Sequence, residues 1–208
     1  IFSQGYADHS LATASWSFPA QRDELLETYD KALVAHGQKH LASKFTPGVR
    51  FTTSDVGVAA ASVSALLTGG QYPIRIGNVV SVHHRRQTKV RDFDSSLDML
   101  FVQFADTIKK LESLLDLTLC YPVNAMTLAC KKLAMPKAAA MEAIEMFRMA
   151  VGETPASAHD VYMAMQEILF ILKTGHVPES KLLSVEESIA RALTLRWSEY
   201  DLPGAVSY

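Results

Sequence analysis

Two kinds of hydrophobic pattern divide this chain. Up to residue 91, one helical stretch aside, apolar and polar residues alternate in short runs, and from Asp92 onward they recur every three or four positions. Alternation puts successive side chains on opposite sides of a strand; recurrence at three and four puts them on one side of a helix. Leu11 to Phe18 (LATASWSF) alternates, and Pro19 then suits the first turn of a helix. That helix is expected to reach about Leu41 with Leu25, Leu26, Tyr29, Leu33 and His36 or His40 in one stripe, Gly37 weakening its second half. Thr46-Pro47-Gly48 reads as a turn, and Val49, Phe51 and Thr53 against Arg50, Thr52 and Ser54 as a half-buried strand. Asp55-Val56-Gly57 turns the chain again.

Val58 to Leu67 (VAAASVSALL) fits a strand of small residues or a short helix, and is read here as a strand. Gly77-Asn78 between Tyr72–Ile76 and Val79–His84 is a two-residue hairpin signal. Pairing about it would set Ile74, Ile76, Val79 and Ser81 on one face and Arg75, Val80, Val82 and His84 on the other.

The second pattern begins with Leu97, Phe101, Phe104, Ile108, Leu111 and Leu115, which step by four and three and predict a helix from about Asp92 to Leu115. Asp92, Asp94 and Asp98 near its start and Lys109-Lys110 nearer its end complement the helix dipole. Pro122 and Pro136 each open a shorter helix, the second apolar almost all round through Met141, Ile144, Met146, Phe147 and Met149 and so expected to be buried. Ser157-Ala158-His159-Asp160 and Ser184-Val185-Glu186-Glu187 fit capping boxes, so a helix is expected to start at each, the first ending before Gly175. The tail RWSEYDLPGAVSY is expected to lie back on the protein. The fold class predicted is α+β: a small antiparallel sheet in a β-α-β-β-β-α core, then a helical C-terminal half.

At 208 residues the chain suits a single domain, mainly sheet plus one helix over 11–91 and mainly helical over 92–208. It has no apolar run long enough for a helix to cross a bilayer, so no membrane partner is expected, and its two cysteines suit a reducing, cytoplasmic compartment. The opening IFSQGYADHS resembles neither a start nor a signal peptide, so the sequence reads as the C-terminal part of a longer chain. Cys120 and Cys130 match no metal spacing and are expected to be buried thiols in a helical stretch.

Charge changes the picture most. Residues 31–91 hold nine Lys/Arg and one Asp, a local +8 in a chain of net charge −2, so the remainder carries −10. No acid lies between Asp55 and Asp92, where Arg75, His84, Arg85, Arg86, Lys89 and Arg91 supply the cations and donors of a phosphate-contacting segment. The plain alternative is a solvated hairpin end whose charges meet the acids that follow. Phe51 and Tyr72, where exposed, would add stacking surfaces beside the cations.

Other constellations are weaker. His36 and His40 stand four apart, the spacing that lets two imidazoles of one helix share a metal, yet no glutamate lies between them and Lys39 would repel a cation; no metal site and no cofactor are expected. Thr52-Thr53-Ser54-Asp55-Val56-Gly57 could hold hydroxyls and a carboxylate at a strand end, but no nucleophile elbow surrounds Ser54, and a structural turn explains the stretch. No catalytic residue is assigned.

The FTTSDVG stretch from Phe51, the hairpin leading to a His- and Arg-bearing strand, the long helix after it and SAHDVYMAM from Ser157 resemble, over roughly 11–202, the phage- and plasmid-associated "domain of unknown function 932" family. The resemblance implies a mobile-element setting and a connection with DNA. The element order also looks like the core of phage single-strand annealing proteins, which lay nucleic acid along a basic hairpin. The expected function is therefore a non-catalytic module binding single-stranded nucleic acid. The alternatives are an assembly module, a homo-oligomer included, whose basic sheet docks on an acidic helical surface, and then an enzyme using the Thr53–Gly57 turn.

Overall fold

The computed structural model describes residues 1–8, 10–54, 61–70, 73–81 and 90–208, the backbone alone at 77–81 and 90–99. The protein is α+β and forms two compact units, Ile1–Lys109 and Lys110–Tyr208. The first holds β1 (Phe2–Ala7), β2 (Ala12–Ser17), α1 (Arg22–Ala35), β3 (Thr46–Thr53), β4 (Ser62–Thr68), β5 (Ile74–Ser81) and most of α2 (Val90–Asp116). Its strands form one antiparallel sheet in the order β1-β2-β3-β4-β5, each strand beside its successor.

Several elements differ from expectation. Strand β1 was not foreseen; it is an edge strand exposed at every residue, and so carries no buried apolar alternation to announce it. Thr46-Pro47-Gly48 is the start of β3 rather than a turn, with Pro47 opposite Leu67 and Gly48 opposite Leu66. A Cβ at Gly48 would come within 2.7 Å of the Trp16 carbonyl oxygen, so this glycine serves a close cross-strand approach. Gly77-Asn78 is likewise no hairpin turn. It lies inside β5, where the register passes from Ala65 opposite Ile76 to Val63 opposite Val80, so three residues of β5 face one of β4 in a bulge. Val80 consequently stands in register with the Val63, Ala65, Ile76 side, opposite to the face expected for it.

Helix α1 ends at Ala35, short of the expected Leu41. Gly37 sits at φ +78, and the Gln38 amide donates to Leu33 O while the Gly37 amide donates to Val34 O, a Schellman closure that stops the helix. The Arg22 guanidinium then ties the following turn down, donating to Phe45 O at 2.9 Å and to the Asp30 carboxylate, which also accepts from the Ser43 amide. Leu26, Tyr29 and Leu33 form the buried stripe, with Tyr29 stacked on Phe45.

In α2 the buried positions include Leu100, Phe104, Ile108, Leu111 and Leu115; Phe101 is 41% exposed and lies against Phe18, with ring centroids 6.3 Å apart. The apolar seam is thus turned by one position at its start, Leu100 taking the place expected of Phe101.

The second unit packs α3 (Pro122–Lys132), α4 (Lys137–Val151), α5 (Ala158–Met165), α6 (Glu167–Thr174) and α7 (Glu179–Arg191), with a two-residue ladder between β6 (Thr118–Leu119) and β7 (Ala156–Ser157). Ser157 caps α5 in the expected reciprocal way: its hydroxyl accepts from the Asp160 amide, and its amide donates to the Asp160 carboxylate. The second expected capping box fails, since α7 begins at Glu179 behind Pro178 and Ser184 lies inside it. Nor is α4 buried all round: Ala140, Ala143, Ile144 and Phe147 are buried, while Met141, Met146 and Met149 are exposed. Cys120 precedes α3 and is exposed; only Cys130 is buried, and burial pushes its thiol up to about 12. The tail lies back on this unit. Asp201 accepts from the amides of Cys120 and Tyr121 where α3 begins, Asn124 donates to Leu202 O and Gly204 O, and the Tyr208 hydroxyl donates to Met135 O. Among the described residues, no helix is long and apolar enough to cross a membrane.

Candidate functional site

Residues opposite one another on neighbouring strands share a face, and so do alternate residues of one strand. One face of the sheet therefore carries Ser15, Arg50, Ser64, Thr52, Leu66 and Arg75, and the other carries Phe2, Trp16, Val49, Phe51, Ala65 and Ile76.

The polar face is the more covered one along β3. Arg50 is 5% exposed and Arg75 8%, with Ser15, Thr52 and Ser64 also buried, while Val49, Phe51 and Thr53 keep part of their surface in solvent. The Arg50 Nε donates to the Ser15 hydroxyl across the ladder at 3.3 Å. A buried guanidinium must be matched by hydrogen bonds or opposite charge, and the hydroxyls of neighbouring strands begin that match.

Of the six residues expected to meet phosphates, Arg75 is therefore buried in the sheet and presents no surface cation. Arg91 lies in the first turn of α2, its side chain outside the described set, and His84, Arg85, Arg86 and Lys89 lie outside the described residues. What the fold does fix is where that run departs. It follows Ser81, which stands opposite Ser62, which in turn stands opposite Thr52, so it leaves the sheet at the end where β3 finishes.

The other candidates separate. His36 is the residue capping the end of α1, its Nδ1 at 2.8 Å from Ala32 O, and His40 lies in the turn beyond, so the two do not share a helix face. Among the described residues, no cluster of three or more metal-ligating side chains occurs. The Ser54 hydroxyl donates to Ser10 O at 2.6 Å, holding the end of β3 to the β1–β2 turn, while Asp55–Gly57 fall outside the described residues. Asp8 organises that turn. It accepts from the Tyr6 hydroxyl, the Ser10 amide and hydroxyl and the Leu11 amide, and these donors, Tyr6 foremost, hold its carboxyl well below the usual range.

The acids that balance the basic region are dispersed. Residues 1–30 carry net −4 and 92–109 net −3, while the helical unit from Lys110 holds nine Lys/Arg against twelve Asp/Glu, only −3. Comparison with known protein families, curated proteins and solved structures finds no match.

Proposed function

We propose that this protein is a non-catalytic module that binds single-stranded nucleic acid through the basic run after β5, with Arg85, Arg86, Lys89 and Arg91 on phosphates and His84 beside them. The observation that carries the reading is the charge pattern: +8 over 31–91, with no acid between Asp55 and Asp92. Polyanions are held by such a run because each neutralised phosphate releases condensed counterions. Arg75 drops out of the contact set, since its burial makes it a part of the sheet. The mobile-element setting implied by the family resemblance belongs to the same proposal.

The assembly reading draws less support. It needs an acidic partner surface on the helical half, and over 92–208 ten Lys/Arg are interspersed with sixteen Asp/Glu, a net −6 across 117 residues that offers a diffuse one. Titrating a labelled single-stranded oligonucleotide at low salt, with the duplex of the same sequence beside it, tests the proposal. Saturable binding that prefers the single strand supports it, and no binding of either rejects it.

A further inference from the structure

The apolar face of the sheet is open over β1 and at Trp16 on β2 and partly open from Val49 on β3, and it carries aromatic rings on a floor of small residues. Trp16 is 37% exposed and Phe2 60%, and Phe51 is partly exposed on the neighbouring strand. The Phe2 ring meets Trp16 edge-on, with centroids 6.2 Å apart and planes at 73°, and it lies over Gly5, where a Cβ would come within 3.1 Å of it. Gly5, Ala7, Ala12 and Ala14 occupy the rest of this face on β1 and β2, so nothing bulky stands in front of the rings, and no register position of the face on β1–β3 is charged. Trp16 and Phe51 are diagonal neighbours on adjacent strands, about 7–8 Å apart.

The surroundings of this face say what it suits. Phe51 stands opposite Val63, and Val63 opposite Val80, so Phe51 and Val80 are two strand spacings apart, about 10 Å. Arg85, the first arginine of the cationic run, follows Val80 by five residues, a chain reach of at most about 18 Å. A neutral aromatic floor on a sheet whose last strand leads into a cation-rich segment matches the two parts of a single strand, flat bases and anionic phosphates, whereas a duplex keeps its base faces stacked on one another.

We propose that the β1–β3 face is a base-stacking platform for single-stranded nucleic acid, with successive bases on Trp16 and Phe51 and Phe2 bracing the Trp16 ring. This rests on the nucleic-acid reading above and adds where the bases lie. Stacking is indifferent to base identity, so binding is expected to tolerate sequence.

The test uses oligo(dT) and an abasic oligomer with the same number of phosphates, titrated into the whole protein. Trp16 is the exposed tryptophan and Trp197 is buried, so oligo(dT) should quench the tryptophan signal and the abasic oligomer should not. Trp16→Ala and Phe51→Ala should each weaken oligo(dT) binding about five- to a hundredfold, leave abasic binding unchanged and keep the slope of log affinity against log salt. Trp16→Phe, which keeps a ring, should recover most of the loss and guards against a variant that merely fails to fold. Equal affinity of the unmodified protein for the two oligomers, with no quenching, overturns the platform while leaving the phosphate-binding reading standing. No binding of either oligomer removes both. A self-associated protein that Trp16→Ala dissociates, with oligo(dT) affinity unchanged, assigns the face to a second copy of the chain and overturns the proposal.

Discussion

Arg50 and Ser15 stand opposite one another on β3 and β2, and the guanidinium Nε donates to the serine hydroxyl inside the protein. The polar side of β3 is thus a structural side, although simple alternation would send it to solvent. Arg50→Ala removes a buried packing stem together with its hydrogen bonds, and is expected to cost about 2–4 kcal/mol of stability. Denaturant unfolding measures this. A loss under about 0.5 kcal/mol, the range of ordinary surface changes, contradicts a structural role for the residue.

Phe104 and Phe101 separate the buried and exposed sides of α2. Phe104, 4% exposed, should cost about 3–5 kcal/mol when changed to Ala, and Phe101, 41% exposed, under about 2. Equal losses would contradict the orientation of the helix described above.

Asp8 links the β1–β2 turn to pH. Its folded-state pKa lies below the unfolded value, so its stabilising contribution is present above the ordinary carboxylate range and fades as pH falls below about 4 toward the folded value. The Ser10 and Leu11 amide resonances should report that loss in an NMR titration, and Asp8→Asn should abolish the transition. A turn whose shifts do not move in acid would contradict the hydrogen-bond set given for Asp8.

The two thiols should differ in reactivity. Cys120 is exposed, whereas burial raises the Cys130 thiol to about 12 and keeps it in the unreactive protonated form. A thiol reagent at neutral pH is expected to label Cys120 promptly and Cys130 only on unfolding. Rapid labelling of both would contradict the closed packing of α3.

Patterns with a covered face were legible in the chain. The Leu26, Tyr29, Leu33 stripe and the Ser157 capping box appear as read, and the seam of α2 does from Phe104 onward, because each depends on neighbours three or four residues away. The failures have physical causes. Gly77-Asn78 carries the signature of a turn, and a bulge in a strand uses the same backbone freedom. The helix end at Ala134 closes with positive φ in a residue other than glycine, so no glycine marks it. Arg75 looked like a surface cation because charge says nothing of burial; its place opposite Leu66 depends on strands distant in sequence. The Met residues of α4 misled in the opposite direction, since apolar character alone does not say which side of a helix is covered.

The most direct test of the nucleic-acid reading is the salt dependence of oligonucleotide binding. Three or four phosphate contacts from Arg85, Arg86, Lys89 and Arg91 predict a slope of log affinity against log salt of about −2 to −3, at roughly 0.7 per contact. Changing Arg85 and Arg86 together to Ala should flatten that slope by up to about 1.4, whereas Arg75→Gln, in any preparation that remains folded, should leave it unchanged because Arg75 is buried in the sheet. Anisotropy titrations of one labelled oligo(dT) across a salt series read all three proteins. A slope that is the same before and after the double change, or no binding at low salt, would contradict the account.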